Sequence, residues 1–410
     1  MKTAAIIAEF NPFHNGHKYL IDKAREITKA DNIIVIMSGD FTQRGTPAII
    51  DKFTRAKMAV CAGADMVIEL PVFYATASAG YFAKASINIL SDLNIVDFLC
   101  FGVECDNLDA FYKISNILSK ESFEYKTVLK TELSKGSSFA KARSQAVLAC
   151  IDKNDADYDD ISNILMSPNN VLALEYIIAL KSTTIKPLPV KRLGSDYNDD
   201  KINNHLSSAK AIRNLVYNQE NYEKIEDLLK SNIPDESFVF FEDSVKNKNV
   251  VFSNDFSRLL KYKLILEKKY GFEKYNDVSV EISNSILKIC DYMTFFEDFC
   301  MDLKSKNFTY SRISRCLCHI LLNIYKEEFD KDCKSYYCKI LAFNKTSTSL
   351  LKEINKKSII PVINKYANAK KMLGKNGIKV FLKDIEASEI YHIINDKDYN
   401  EYTITPFIYN

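Results

Sequence analysis

Ile7-Ala8-Glu9-Phe10-Asn11-Pro12-Phe13-His14-Asn15-Gly16-His17-Lys18-Tyr19-Leu20 holds two of the five histidines in a chain of 410 residues, arranged as His-x-Gly-His. The short apolar run 4–8 precedes it and an amphipathic run follows. The histidines therefore fall at a strand-to-helix turn, where backbone N–H groups and the positive end of the helix dipole attract phosphate. Two imidazoles three residues apart around a glycine can reach one ligand, and Gly16, lacking Cβ, lets backbone come close to a phosphate. Attack at the α-phosphate of ATP builds negative charge there, and pre-placed donors such as His14 and His17 would stabilise it. The alternative reading leaves His14 as a turn residue and His17 as an ordinary helix start.

The surroundings favour the first reading. A helical pattern over residues 16–30 leads to Ile33-Ile34-Val35-Ile36-Met37, a continuous apolar run of the kind a strand buried on both faces shows. Further runs occur at Met66-Val67-Ile68 and over 96–103, separated by helical patterns around 49–62 and 75–90. Alternating strands and helices predict an α/β fold, a Rossmann-like doubly wound parallel sheet with ligands at the carboxyl ends of its strands.

Several blocks share one pattern. The segment from Ile7 to His17 resembles the opening of the HIGH-type nucleotidyltransferase superfamily, and its wording resembles the bacterial tRNA(Met) cytidine acetate ligases. The narrower likeness is carried by Ser38-Gly39-Asp40-Phe41-Thr42-Gln43-Arg44-Gly45, Asp51-Lys52-Phe53-Thr54-Arg55-Ala56-Lys57-Met58-Ala59 and Gly63-Ala64-Asp65-Met66-Val67-Ile68-Glu69-Leu70-Pro71. Ser167-Pro168-Asn169-Asn170, Leu174-Glu175-Tyr176 and Lys191-Arg192-Leu193-Gly194 extend it over most of the first 215 residues. The resemblance implies an enzyme that uses ATP to activate acetate as acetyl-adenylate, releasing pyrophosphate, and passes the acetyl group to N4 of the wobble cytidine of elongator tRNA(Met). It implies that residues 7–20 bind ATP together with Gly102, Asn169 or Asn170, Arg192 and Leu193. Magnesium is expected with the nucleotide, although no carboxylate cluster marks its ligands and no residue is assigned to a metal.

Chemistry agrees for two of these positions. Gly102 ends an apolar run, where a missing side chain leaves room for adenine or ribose, and Arg192 can pair with phosphate oxygens through its planar fork. The plainer alternatives are a strand-ending turn and a surface charge. The chain departs from the superfamily at Ser208-Ala209-Lys210-Ala211-Ile212-Arg213, where lysine stands in place of an expected threonine. That stretch reads either as a phosphate loop built from Ser208, Lys210 and Arg213, or as a capped helix with a basic first turn. Gln43, Arg44, Lys52 and Arg55 form another polar group that would hold the acetate carboxylate or the tRNA backbone, or simply be a solvated face.

Composition sets outer bounds. Net charge is only +2 and 47% of residues are hydrophobic, so cores are ample and any RNA site must be local. No run approaches the ~18 apolar residues of a membrane span, and no signal-peptide core opens the chain, so a cytoplasmic protein is expected. The ten cysteines are scattered without a zinc spacing; Cys316-x-Cys318-His319 lies in a helical run and reads as core. Neither a Walker loop nor Gly-x-Gly-x-x-Gly occurs among the eleven glycines.

Beyond about residue 215 helical patterns dominate. We expect two units, 1–217 a catalytic ATP-binding domain and 218–410 a mainly helical domain contributing to tRNA binding. Between residues 351 and 380 eight lysines, among them Lys356, Lys357, Lys370 and Lys371, face one acid, Glu353. Such a cluster attracts phosphates whatever the overall charge, and Tyr366 within it would stack on an unpaired base. Arg312 and Arg315 form a second basic edge. A solvated face and packed tyrosines remain the plain alternative. Two rival functions are an adenylyltransferase acting on a small phosphorylated substrate, against which the long helical second half argues, and a nucleotide-dependent RNA-binding module without acetyl chemistry, against which His14, Gly16 and His17 argue.

Overall fold

The computed structural model describes residues 1–192, 206–218, 221–395 and 398–410. Leu193 and Gly194 of the Lys-Arg-Leu-Gly block lie outside them. Eight strands form one sheet: β1 (Thr3–Ala8), β2 (Asn32–Ser38), β3 (Met66–Leu70), β4 (Phe98–Val103), β5 (Lys186–Lys191), β6 (Cys338–Asn344), β7 (Val362–Ile363) and β8 (Phe407–Tyr409). Their order is β5-β4-β1-β2-β3-β6-β7, with β8 also paired to β6. From β5 to β3 every pairing is parallel. All seven residues of β2 are buried, as a strand covered on both faces requires.

The chain runs β1 to β2 to β3 in one direction and then crosses back to lay β4 on the other side of β1. That reversal opens a crevice at the carboxyl ends of β1 and β4, the topological switch point where doubly wound sheets bind ligands. The helix Asn15–Thr28 leaves β1 at this crevice.

The second half is helical among the described residues from Tyr222 to Leu321, as expected, but it then returns to the sheet. β6 adds antiparallel to β3, and β7 and β8 pair parallel with β6. β6, β7 and β8 thus extend the first unit's sheet instead of standing apart. The helix Lys375–Ile393 packs back as well: Ser388 Oγ donates to Asp40 Oδ2 at 2.6 Å and Tyr391 Oη to the Ala48 carbonyl at 2.8 Å.

Lys52 and Arg55 are not on a solvated face, nor in reach of a ligand. Lys52 Nζ lies 2.9 Å from both Glu69 and Glu401, and Lys339 of β6 lies 2.5 Å from Glu69 and also pairs with Glu401. All four side chains are at most 3% exposed. Burial would raise the Glu401 carboxyl, but the Lys339 and Lys52 ammoniums hold it down to about 2. Arg55, fully buried, donates to the carbonyls of Glu9 at 2.7 Å, Ser38 at 3.1 Å, Ile50 at 3.0 Å and Gly39. It ties the carboxyl ends of β1 and β2 together. No helix among the described residues is long and apolar enough to cross a membrane.

Candidate active site

His14 caps the helix Asn15–Thr28 in a reciprocal arrangement. Its Nδ1 accepts from the Gly16 N–H at 3.0 Å, and His17 Nδ1 accepts from the His14 N–H at 3.3 Å. The rings stack with centroids 3.7 Å apart, and Phe10 meets His17 edge-on at 4.8 Å. Phe10 itself has left-handed backbone, φ 50°. Burial, then the Arg192 and Arg213 charges, lower His14 to about 3; burial and the neighbouring His14 hold His17 well below its usual value. Both imidazoles are therefore neutral at pH 7. With Nδ1 accepting in each ring, each proton sits on Nε2.

This turn works differently from the expectation. The Gly16 and His14 N–H groups are engaged by the histidines, so the turn presents imidazole Nε2–H donors with the helix dipole behind them. Gly16 is required by His14, since a Cβ there would lie 2.9 Å from its Cε1.

Both histidines line a cavity of about 280 Å³ at the β1–β4 crevice. Ile7, Ala8, Glu9, Phe10, Asn11, Gly16, Tyr19 and Leu20 of the opening segment line it too, as do Gly102, Asn169 and Arg192. Four positions in the segment do not. Phe13 is fully buried in the core and Pro12 follows the cis Asn11–Pro12 bond beneath the turn. Asn15 Nδ2 donates to the Ser231 carbonyl at 2.9 Å, and Lys18 pairs with Glu236 at 3.2 Å. Asn170 also turns away: its Oδ1 accepts from the Glu104 N–H at 2.9 Å, closing the end of β4, while Asn169 donates to Glu104 Oε1 at 2.6 Å from the cavity side. The space beside Gly102 is occupied by the Arg192 stem, which a Cβ would meet at 3.3 Å.

Ser208, Lys210 and Arg213 line the same cavity, and Arg213 donates to the Asn11 carbonyl. Gln43 and Arg44 enter from the β2 side. Among the described lining residues five cations, Arg44, Lys191, Arg192, Lys210 and Arg213, stand against one carboxylate, Glu9. Such a cavity suits a polyanion. Sequence reasoning missed the apolar walls Phe82, Phe101, Leu172, Tyr176 and Val190. Of these Tyr176 was visible in the Leu-Glu-Tyr block, whereas the others look like any core residue.

The basic edges fare unevenly. Arg315 is 9% exposed and bound to Asp277 at 2.9 Å, so it is no RNA contact. Tyr366 is buried, its hydroxyl donating to the Ile340 carbonyl at 2.7 Å, and cannot stack on a base. Arg312 stays partly open over the Phe308 ring. Lys356, Lys357, Lys370 and Lys371 are exposed. Lys357 lines a cleft with Met1, Asp97 and Ile185 at the amino ends of the strands, the rim opposite the histidines.

Fold, switch-point cavity and paired histidines define a nucleotide-binding α/β protein of the nucleotidyl transferase class. The family model of the HIGH nucleotidyl transferases matches residues 1–404. The tRNA(Met) cytidine acetate ligase of Clostridium novyi is 39% identical over 96% of both chains, and that of Clostridium perfringens 38% identical over the whole of both. The crystal structure of Thermotoga maritima TmcAL, apo, superposes with a TM-score of 0.91 at 29% identity over the full length of both chains; the form bound with α-thio ATP gives 0.89. The chain belongs to the HIGH nucleotidyl transferase family and, within it, to the tRNA(Met) cytidine acetate ligases.

Proposed function

We infer that this protein is an ATP-dependent, AMP-forming ligase that acetylates N4 of the wobble cytidine of elongator tRNA(Met). End-to-end likeness to relatives of that name carries the substrate assignment, and the cation-lined cavity supports the nucleotide chemistry. An acetate oxygen attacks the α-phosphorus, the bond to the bridging oxygen breaks, and pyrophosphate leaves. The cytidine amine then attacks the acetyl carbonyl, the bond from that carbon to the AMP oxygen breaks, AMP leaves with the electron pair, and the nitrogen gives up a proton to water.

Within this reading Ile7 to Phe10, Gly102, Asn169 and Arg192 hold the adenosine side of ATP, and Lys210 and Arg213 the outer phosphates. His14 and His17 give Nε2–H bonds to the α-phosphate, where charge builds most during attack. Their neutrality suits this role, since each donates without having to lose a proton. Magnesium accompanies ATP, but among the described residues no three His, Cys, Asp or Glu converge on one point. Glu9, the one lining carboxylate, accepts from the Gln43 N–H at 2.6 Å. The described side chains do not form a magnesium cage. Exposed Lys356, Lys357, Lys370 and Lys371, with the partly open Arg312, are the proposed RNA contacts, and a tRNA-directed enzyme works in the cytoplasm.

The test is incubation with labelled ATP, differently labelled acetate, a small phosphorylated acceptor and unmodified elongator tRNA(Met). Acetyl label on RNA with stoichiometric AMP is expected. Nucleotide label on a small phosphorylated acceptor, without acetyl transfer, would replace the ligase by an adenylyltransferase.

A further inference from the structure

The wall of the cavity that nucleotide chemistry leaves unused is the turn after β2. Thr42, Gln43, Arg44 and Thr46 line the cavity from that side, across β1 from the Gly102 and Arg192 wall. The turn is closed on itself, Thr42 N–H to the Thr46 carbonyl and Gly45 N–H to the Thr42 carbonyl, both at 2.9 Å. It is also fixed from three directions. Gln43 N–H donates to Glu9 Oε1 at 2.6 Å, and Gln43 Nε2 to the Ala77 carbonyl at 3.1 Å, just before the helix Ala79–Asp92 that carries Phe82. Gly45 has φ +71°, and a Cβ there would stand 2.5 Å from the Arg315 backbone, while Ser314 Oγ donates to the Gly45 carbonyl at 3.0 Å. Arg44 thus rides on a rigid mount.

Its charge is felt at Arg213. Burial lowers the Arg213 guanidinium to about 10, with Glu9 opposing the shift and Arg44 adding to it, so the three groups are neighbours around the Asn11 turn. The reaction brings a second anion, acetate, to the side of an already anionic α-phosphate. That approach needs a cation separate from those holding adenosine and the outer phosphates.

We propose that Arg44 binds the carboxylate of acetate on the β2 side of the cavity, beside the Thr42, Thr46 and Phe82 walls. This rests on the ligase reading. One carboxylate oxygen stays on the guanidinium while the other forms the bond to phosphorus. The carboxylate is already ionised, so no proton moves, and pyrophosphate departs with the electron pair of the broken bond.

The test measures acetate-dependent AMP and pyrophosphate formation, alongside direct ATP binding and tRNA titration, for the wild type, Arg44→Ala and Arg44→Lys. For Arg44→Ala we expect acetate KM to rise about 10- to 100-fold, the range for losing a hydrogen bond to a charged group, with ATP Kd within about twofold of wild type. Arg44→Lys keeps the charge but not the fork and falls between. Added guanidinium should partly restore acetate use by Arg44→Ala, which a merely misfolded variant would not show. An unchanged acetate KM overturns the inference. So does a rise confined to ATP Kd, which makes Arg44 a phosphate ligand, or to tRNA KM, which makes it an RNA contact. A wild type that forms no AMP from acetate brings down the ligase reading itself, and the inference with it.

Discussion

Replacing His17 by alanine separates two jobs that one ring performs. Its Nε2–H is a donor into the cavity, and its Nδ1 caps the His14 N–H at 3.3 Å while the ring packs on His14 at 3.7 Å and Phe10 at 4.8 Å. Losing one donor aimed at developing charge costs about 3–4 kcal/mol in the transition state, roughly a hundred- to a thousandfold in rate. Losing the cap costs about 1 kcal/mol of stability, and the two ring contacts about 1 kcal/mol each. The first loss appears in acetate-dependent AMP formation, the second in urea unfolding. His17→Asn returns a donor without the ring, so rate should recover further than stability. The reasoning fails if His17→Ala, shown folded by circular dichroism, loses less than about tenfold in kcat/KM. It fails equally if the whole loss lies in ATP Kd, since that is uniform binding and not transition-state stabilisation.

Acid should destabilise the fold through the same pair. His14 is held down to about 3 when folded, so below its unfolded value near 6.5 only the unfolded chain takes up the proton, and stability is lost as pH falls through that window, by about 1.4 kcal/mol per pH unit. His14→Gln should flatten the slope of urea-unfolding free energy between pH 6.5 and pH 4; an unchanged slope contradicts the neutral ring. Glu401→Gln leaves the Lys52 and Lys339 ammoniums short of one countercharge in a fully buried site, and a loss of about 3–5 kcal/mol is expected in the same assay. Lys370→Ala with Lys371→Ala should weaken tRNA binding in filter assays and reduce the slope of log K against log salt by roughly 0.7–0.9 per lost phosphate contact, with acetate activation unaltered; Arg315→Lys should leave that slope where it was.

What the sequence revealed was whatever is encoded locally. β2 is an apolar run of continuous burial, and the His-x-Gly-His turn contains its own cap, so both can be read without the rest of the chain. β5 escaped notice because Lys186-Pro187-Leu188-Pro189-Val190-Lys191 carries two prolines, which argue against a central strand. Among the described residues it is an edge strand paired only with β4, where a missing N–H costs no ladder bond. β6 escaped because its Lys339 looks like a surface residue. Glu69 and Glu401, far from it along the chain and close only in space, make that lysine tolerable inside a sheet.

The same distinction explains why Arg44 lines the cavity while Arg315, expected at an RNA surface, is buried against Asp277. Each is an arginine beside small or polar residues, and nothing in either neighbourhood says which one meets a ligand. The decision is made where the two segments touch: Gly45 lies against the Arg315 backbone, which turns the Arg315 side chain toward Asp277 and leaves Arg44 on the cavity side of the turn. The helix Tyr310–Leu321 therefore forms part of the mount for the cavity wall. The helical half of the chain consequently supports the cavity wall through Ser314 and Arg315, although none of its described residues lines the cavity, and a catalytic unit cut at residue 217 would keep its histidines but lose the support of the β2 turn.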